Sequence, residues 1–537
     1  MKLYPTRATF HATLAGTAMI AAGVAMHRAP MVAFGGAVFL AIAFGKALSF
    51  VGSTRIRRAG FEMSWGLEHR VVKVTRGSEA KLTVELRNRG ADPVHVVRLR
   101  AVASSMLEVH LTPSETDLPE NSSVMVEATL VGKRVGRWGV HGMALELRGM
   151  PGGGEGLYEV PLVFSNPFGV EVHPTPLAAL LTSPRGGRSG RVAPSGRSAR
   201  RAGEGDELRE LREHVFGDPF KRIAWRASAR RGRLMVREME RQEQDVVWLV
   251  LDASVEGWAG EPGHAPLDRA VDELSAVAVR YLGRGDRVGL IVFASRLRSW
   301  IPPDRGPAQA ARIVAGLASS ASMVDIDRCA LDEYEVAQRV AEHIRPLDPL
   351  GAAHLTRRDL DRLAGRAEKV RERAPFAARV PHAMSARERT LRHYLACFGV
   401  EVPPRAEGER DQAEIELGRL LGKLNDERPR PSIISVWSSA PNPGSATAKA
   451  IKKLRARKTA IHWTLPCLEE SVGSFLPSAS SEVTAAVDEA VRIRARVASA
   501  RATATLRSLG VKADAFRLHP RKVPMAEASE GPGEEVP

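Results

Sequence analysis

The sequence predicts an α/β doubly wound sheet with a helical insertion, preceded by an all-β sandwich and two N-terminal transmembrane helices. Three observations predict it. A continuous apolar run, Val246 to Leu251, leads into Asp252 and is followed by alternating helical and strand patterns. Period-2 alternation with regular turn signals fills the stretch from Val71 to Phe164. Two apolar runs, 8–26 and 31–52, open the chain.

The chain has 537 residues, too many for one core, with a net charge of +16 and much of the basic excess carried by Arg. Arginine suits phosphate and carboxylate partners, so nucleic acid and acidic lipid both come into question. Its spread along the chain, with no collecting arm, fits an Arg-rich coding bias better. Cys329, Cys397 and Cys467 are far apart and form no CxxC. That argues against a disulfide framework and a zinc ribbon, and predicts three reduced thiols.

Residues 1–54 read as a transmembrane hairpin. The run Met31–Val51 is close to the ~20 residues that cross a bilayer core. Pro30 separates it from the first run; a signal peptide is the alternative for that run, against which stands the lack of a small-residue cleavage pattern after it. Lys2 and Arg7 precede the hairpin, Arg55, Arg57 and Arg58 follow it, and only His27 and Arg28 lie between. The positive-inside rule then puts both ends and all later domains in the cytoplasm.

Residues 55–175 predict the sandwich. In Lys81–Arg87 the apolar Leu82, Val84 and Leu86 share one face, and Val94–Val102, Ser123–Val131, Trp138–Leu147 and Leu157–Phe164 behave alike. Short strands at such spacing indicate an antiparallel sandwich of immunoglobulin type, here without a Cys-Trp-Cys staple. It carries no catalytic constellation and reads as a spacer or interaction module. Residues 176–205, rich in Gly, Ser, Pro and Arg, read as a solvated linker. No aromatic residue interleaves there, so nucleic acid is not an expected partner.

Residues 206–520 predict the α/β domain. A run apolar on both faces belongs in a parallel sheet. Leu267, Ala270, Val271, Leu274, Ala278 and Tyr281 keep helical spacing; Val288–Phe293, Ser432–Trp437 and Ile461–Trp463 read as further strands. The stretch 325–430 is too long for a loop and is helical by pattern, with a capping box at Ser385 and a stop at Gly399. It is the expected partner-specific surface. The tail 521–537 is Pro- and Glu-rich and reads as disordered.

Ligands of open α/β sheets bind at the carboxyl ends of the strands, so the loop Asp252-Ala253-Ser254-Val255-Glu256 is the candidate site. Asp252, Ser254 and Glu256 supply oxygen donors of the kind magnesium prefers. The Gly217-Asp218-Pro219 turn precedes Trp225, read as a core anchor, and Arg222, Arg226 and Arg230, read as pairing with Glu238 and Glu240 or with an acidic partner.

Here the residues resemble a known family. Leu251-Asp252-Ala253-Ser254 after a buried strand resembles the start of the metal-ion-dependent adhesion site of von Willebrand factor A domains. The stretches Gly203–Glu213, Gly217–Arg230 and Gly232–Glu238, with Asn166-Pro167-Phe168-Gly169-Val170, resemble the bacterial domain of unknown function 58 family. The resemblance implies a membrane-tethered A-like domain that accompanies MoxR-type AAA+ ATPases in assembly or chaperone-like systems, with no established activity. The adhesion site wants Asp-x-Ser-x-Ser, but Glu256 stands in the fifth position. A Thr-bearing loop reads Ser319–Asp325, and a strand expected to end in Ser-Asp ends in Trp437-Ser438-Ser439. The site is therefore degenerate, with magnesium the ion it would take and no other cofactor implied. The expected function is a membrane-anchored, non-enzymatic interaction or scaffold protein. Its rivals are an Arg-rich protein binding nucleic acid or anionic lipid, and a hydrolase, against which stands the absence of a G-x-S-x-G elbow, a P-loop and HExxH.

Overall fold

The computed structural model describes residues 4–59, 61–91, 93–147, 158–175, 197–243, 245–320, 324–405, 408–466 and 482–515. Arg7–Ala25 and Ala29–Ala59 are helices, and both are long and apolar enough to cross a membrane. Their packing inverts that of a soluble pair. Glycines meet at the seam: a Cβ on Gly23 would lie 2.8 Å from Val32, and one on Gly35 2.6 Å from Ile20. Phe10, Leu14, Val24, Phe34, Leu40 and Phe44 point outward and are exposed. Small residues at the contact and large apolar ones outside suit a lipid surround.

The all-β part contains two sheets. One has the order β1-β10-β9-β5-β7, from Tyr4–Pro5 (β1), Val94–Ala103 (β5), Thr116–Leu118 (β7), Gly136–Leu147 (β9) and Tyr158–His173 (β10), with Val71–Thr75 (β3) parallel to β10. The other is β2-β4-β8-β6, from Phe61–Trp65, Glu79–Asn88, Ser123–Gly132 and Leu107–Thr112. Alternation places Val84, Leu86, Val126 and Leu130 of one sheet and Val96, Leu99, Met143 and Leu145 of the other in one core. Phe61–Phe164 and Trp65–Phe168 ring contacts bridge the sheets. Strands β1, β2, β6 and β7 were not foreseen, being short or weakly alternating, and β1 falls within the stretch assigned to the hairpin.

The α/β sheet has the order β15-β14-β13-β16-β17-β18, with Val246–Asp252 (β13), Arg287–Phe293 (β14), Leu297–Asp304 (β15), Ile433–Trp437 (β16), Ala460–Leu465 (β17) and Lys512–Ala515 (β18). All neighbours pair parallel except β14 with β15. The continuous apolar run has a direct cause. Val247, Leu249 and Leu251 face one core with the helices Pro266–Gly283 and Pro307–Ser320, while Val246, Trp248 and Val250 face a second with Arg410–Asp426 and Ala446–Ala456. Neither face of β13 meets water, so no polar position interrupts it.

Two boundaries differ from expectation. Arg410–Asp426 lies within the predicted insertion, yet Leu417, Leu420, Leu421 and Leu424 cover the sheet. The insertion proper is the helices Glu333–Leu347, Leu360–Val370 and Ala386–Phe398, whose Val336, Leu363, Leu391 and Tyr394 share the core of the β-sheets. The β part is thus no detached spacer. Second, residues 197–205 belong not to a linker but to a strand, Arg197–Glu213 (β11), paired with Met235–Glu243 (β12). Backbone pairing holds what composition alone would leave solvated. Residues 176–196, the tail 521–537 and Cys467 lie outside the described residues; Cys329 and Cys397 are buried and free.

Two buried contacts are among those that join the β part to the rest. Arg134 and Asp268 form a buried bidentate pair at 2.9 and 3.0 Å. His343 of the insertion sits between His141 of β9 (2.9 Å) and the Tyr394 hydroxyl (2.8 Å).

Candidate functional site

Strand order reverses at β13: β14 and β15 follow on one side, and β16 to β18 lie on the other. The crevice at the carboxyl ends of β13 and β16 is the switch point where such sheets bind ligands. A cavity of about 310 Å³ opens there, walled by Asp252, Ser254, Glu256, Leu267, Ala270, Glu273, Arg410, Trp437, Ser438 and Thr464.

Asp252 ends β13, and the chain turns at once into the 3-10 segment Val255–Trp258. Its Oδ1 accepts from the Ser254 backbone N–H at 3.0 Å and from the Ser254 hydroxyl. Its Oδ2 accepts from the Ser438 hydroxyl at 2.7 Å. Burial pushes the carboxyl up, and the bonds from Ser254 and Ser438 oppose that shift. Glu256 is exposed and makes no hydrogen bond to Asp252. It lies against Gly408, where a Cβ would stand 2.2 Å from Oε1. Desolvation raises its carboxyl, Arg410 opposes, and Asp252 adds to the rise.

Of the three predicted oxygen donors the structure therefore brings Asp252 and Ser254 together, and adds Ser438 from a strand end that sequence reasoning had treated as a missing ligand. Magnesium takes an octahedral oxygen shell, commonly with one or two carboxylates. The donor set here is one buried carboxylate whose oxygens already hold two hydroxyls. Among the described residues no three His, Cys, Asp or Glu side chains gather as a metal-holding group. The Asp252 oxygens are satisfied by the Ser254 N–H and by the Ser254 and Ser438 hydroxyls. Asp325, from the loop expected to supply a further ligand, instead pairs with Arg298.

The predicted signature residues sit on the β11–β12 arm, a two-stranded sheet of its own. Gly217 takes φ +103°, and Asp218 closes the turn by accepting from Val215 N–H at 2.8 Å. Arg212 grips Asp218 at 2.7 and 2.6 Å, and this bond above all holds the carboxyl down to about 2. After Pro219 come a 3-10 turn, Phe220–Arg222, and the short helix Trp225–Arg231, ended by Gly232 at φ +66°. Met235 N–H donates to the Ser228 hydroxyl at 2.8 Å.

Trp225 is not a core anchor: it is 62% exposed, and Ile223, Ala224, Met235 and Val236 are buried in its place. Arg226 and Arg230 are exposed and form no ion pair with a described carboxylate; the side chains of Glu238 and Glu240 lie outside the described residues. Arg222 is partly buried on the same arm. Sequence reasoning missed Phe216, 103% exposed, and Phe220, 74% exposed. The available signal was two phenylalanines flanking a Gly-Asp-Pro turn, where no periodicity can bury them.

Residues 210–367 match the family described as "Protein of unknown function DUF58". No curated protein has a sequence that matches this one. Among solved structures the chain is similar to PapD-like domain 7 of human CEP192, at 14% identity over 21% of this chain and 84% of that one, with a TM-score of 0.16. It is also similar to alpha-2-macroglobulin from Salmonella, at 11% identity over 84% of this chain and 25% of that one, and from Escherichia coli, at 12% over 84% and 60%, both with a TM-score of 0.16. Likenesses at these TM-scores assign neither fold nor function.

Proposed function

We propose, from the match of residues 210–367 to the DUF58 family, that this chain is a membrane-anchored, non-enzymatic interaction protein. In this reading the N-terminal helices anchor it in a bacterial inner membrane with the soluble part cytoplasmic. The β part is immunoglobulin-like. The α/β domain is von Willebrand factor A-like, with a degenerate adhesion site at Asp252. A mid-sheet β13 ending in Asp-x-Ser supports the A-like assignment.

One observation carries the interaction role: the β11–β12 arm presents Val215, Phe216, Phe220, Trp225 and Leu234 to solvent together. Exposed apolar groups clustered on one arm mark a contact surface. Aromatic anchors are the residues that dominate interfaces, each worth about 1.5–3 kcal/mol when fully covered. Lys221, Arg226, Arg230, Arg231 and Arg233 surround them, which suits an acidic partner. The partner suggested by the family resemblance is a MoxR-type AAA+ ATPase.

The test uses the full chain in detergent and the purified MoxR-type ATPase of the same organism. The variant Phe216→Ala/Phe220→Ala/Trp225→Ala should lose capture of the ATPase, while Asp252→Asn keeps it. Capture unchanged in the triple variant, or absent in the wild type, overturns the proposal. Release of the chain from membranes by alkaline carbonate would overturn the anchor.

A further inference from the structure

A second cavity, larger than the one at Asp252, lies where the β-sheets, the α/β sheet and the insertion meet. Its volume is about 540 Å³. Six arginines line it: Arg137 from β9, Arg296 and Arg298 around the start of β15, Arg328, and Arg379 and Arg389 from the insertion. Only two carboxylates, Asp325 and Glu401, share the wall.

Ion pairs use part of that charge. Arg137 meets Glu171 at 3.3 Å. Arg298 bonds Asp325, and reaches Asp327 at 2.6 Å; Arg296 stands 3.1 Å from Asp327. Burial works to raise Asp327, yet Arg298, Ser295 and Arg296 hold it down to about 2, so it is ionised and committed to them. Glu401 is taken up by Ser104 and Ser105, accepting from the Ser105 N–H at 2.9 Å. Arg328 is fully buried, and burial brings its guanidinium only to about 10, so it remains charged.

Two cations are left over. Arg379 donates only to the Arg298 carbonyl, and Arg389 has no side-chain partner among the described residues. Both are exposed and neither meets a described carboxylate. The Arg298 Nε is buried and makes no hydrogen bond. Unanswered donors at a concave wall, with like charge focused by low-dielectric surroundings, are the condition for holding an anion. Leu297, Val324 and Leu395 supply an apolar side to the same cavity, and its size falls in the range of small-molecule sites.

The geometry points to a binding site for a small polyvalent oxyanion, a phosphorylated or polycarboxylated molecule held by Arg379 and Arg389 over the Arg296–Arg298 floor. Such a ligand would touch all three parts of the soluble region at once and so report on their association. This inference is independent of the role given to the β11–β12 arm.

The experiment is calorimetric titration of the full chain in detergent with pyrophosphate and, separately, citrate, at constant ionic strength. Wild type should bind at least one of them. Arg379→Gln/Arg389→Gln should weaken that binding by about tenfold or more, with its circular dichroism unchanged because both side chains are exposed. Arg389→Lys, which keeps the charge but loses the fork, should fall between. Binding of pyrophosphate alone identifies a phosphate ligand, and of citrate alone a carboxylate one. No binding of either by wild type, or equal binding by the double variant, overturns the site.

Discussion

Acidification should loosen the contact between β9 and the insertion. His141 and His343 are both buried at that contact, joined to each other at 2.9 Å and to Tyr394 at 2.8 Å. Burial pushes His141 down from 6.5 to about 4. Burial first, and His141 second, also lower His343. Each ring is therefore neutral in the folded chain at a pH where the unfolded chain takes up a proton. The stability this represents is complete above the unfolded value of 6.5 and is lost as pH falls from there toward about 4. For His141 alone the whole loss is about 3 kcal/mol at ~1.4 kcal/mol per pH unit, of which about 2 is gone by about pH 5. His343 adds a loss of the same sign. For a cooperative unit of roughly 200 residues about 2 kcal/mol is roughly 4–8 °C in Tm, and proportionally less for a larger unit. Differential scanning calorimetry between about pH 7.5 and about pH 5 reads it. The double variant His141→Gln/His343→Gln controls for carboxylates and should show a flatter pH dependence than wild type. Parallel profiles for wild type and variant would refute the reasoning.

Three further outcomes follow from the same contacts. Arg134→Ala strands the Asp268 carboxylate in a site where both partners are buried, and should cost about 3–5 kcal/mol in urea unfolding. Gly139→Ala sets a Cβ 2.2 Å from the Phe398 carbonyl oxygen; backbone must move, so a loss of about 1–3 kcal/mol and faster proteolysis of the insertion are expected. Asp252→Asn keeps two acceptor lone pairs for Ser254 and can donate to Ser438, so its Tm should match wild type, and millimolar magnesium should move neither beyond an ionic-strength control; a magnesium-dependent rise in wild type alone would refute the hydrogen-bonded account of Asp252.

The sequence by itself determined what depends on local periodicity. Val246–Leu251 could only be a strand buried on both faces, because six successive apolar residues leave no side for water. The two N-terminal helices, the β alternation at Leu82, Val84 and Leu86, the helix cap at Ser385 and the stop at Gly399 are likewise near-neighbour effects. What only the tertiary structure decided joins residues far apart in the chain. Ser438 reaches Asp252 across 186 positions, and His343 reaches His141 across 202. The arginine-lined cavity draws on β9, β15 and the insertion, none of which is unusual alone. Trp225 shows the limit from the other side. Its hydrophobicity predicted burial, but the small core of the β11–β12 arm is filled by Ile223, Ala224, Met235 and Val236, and Trp225 is left 62% exposed. Local spacing sets which face of an element is apolar; whether anything covers that face depends on chain closure over long separations, which no window of sequence contains.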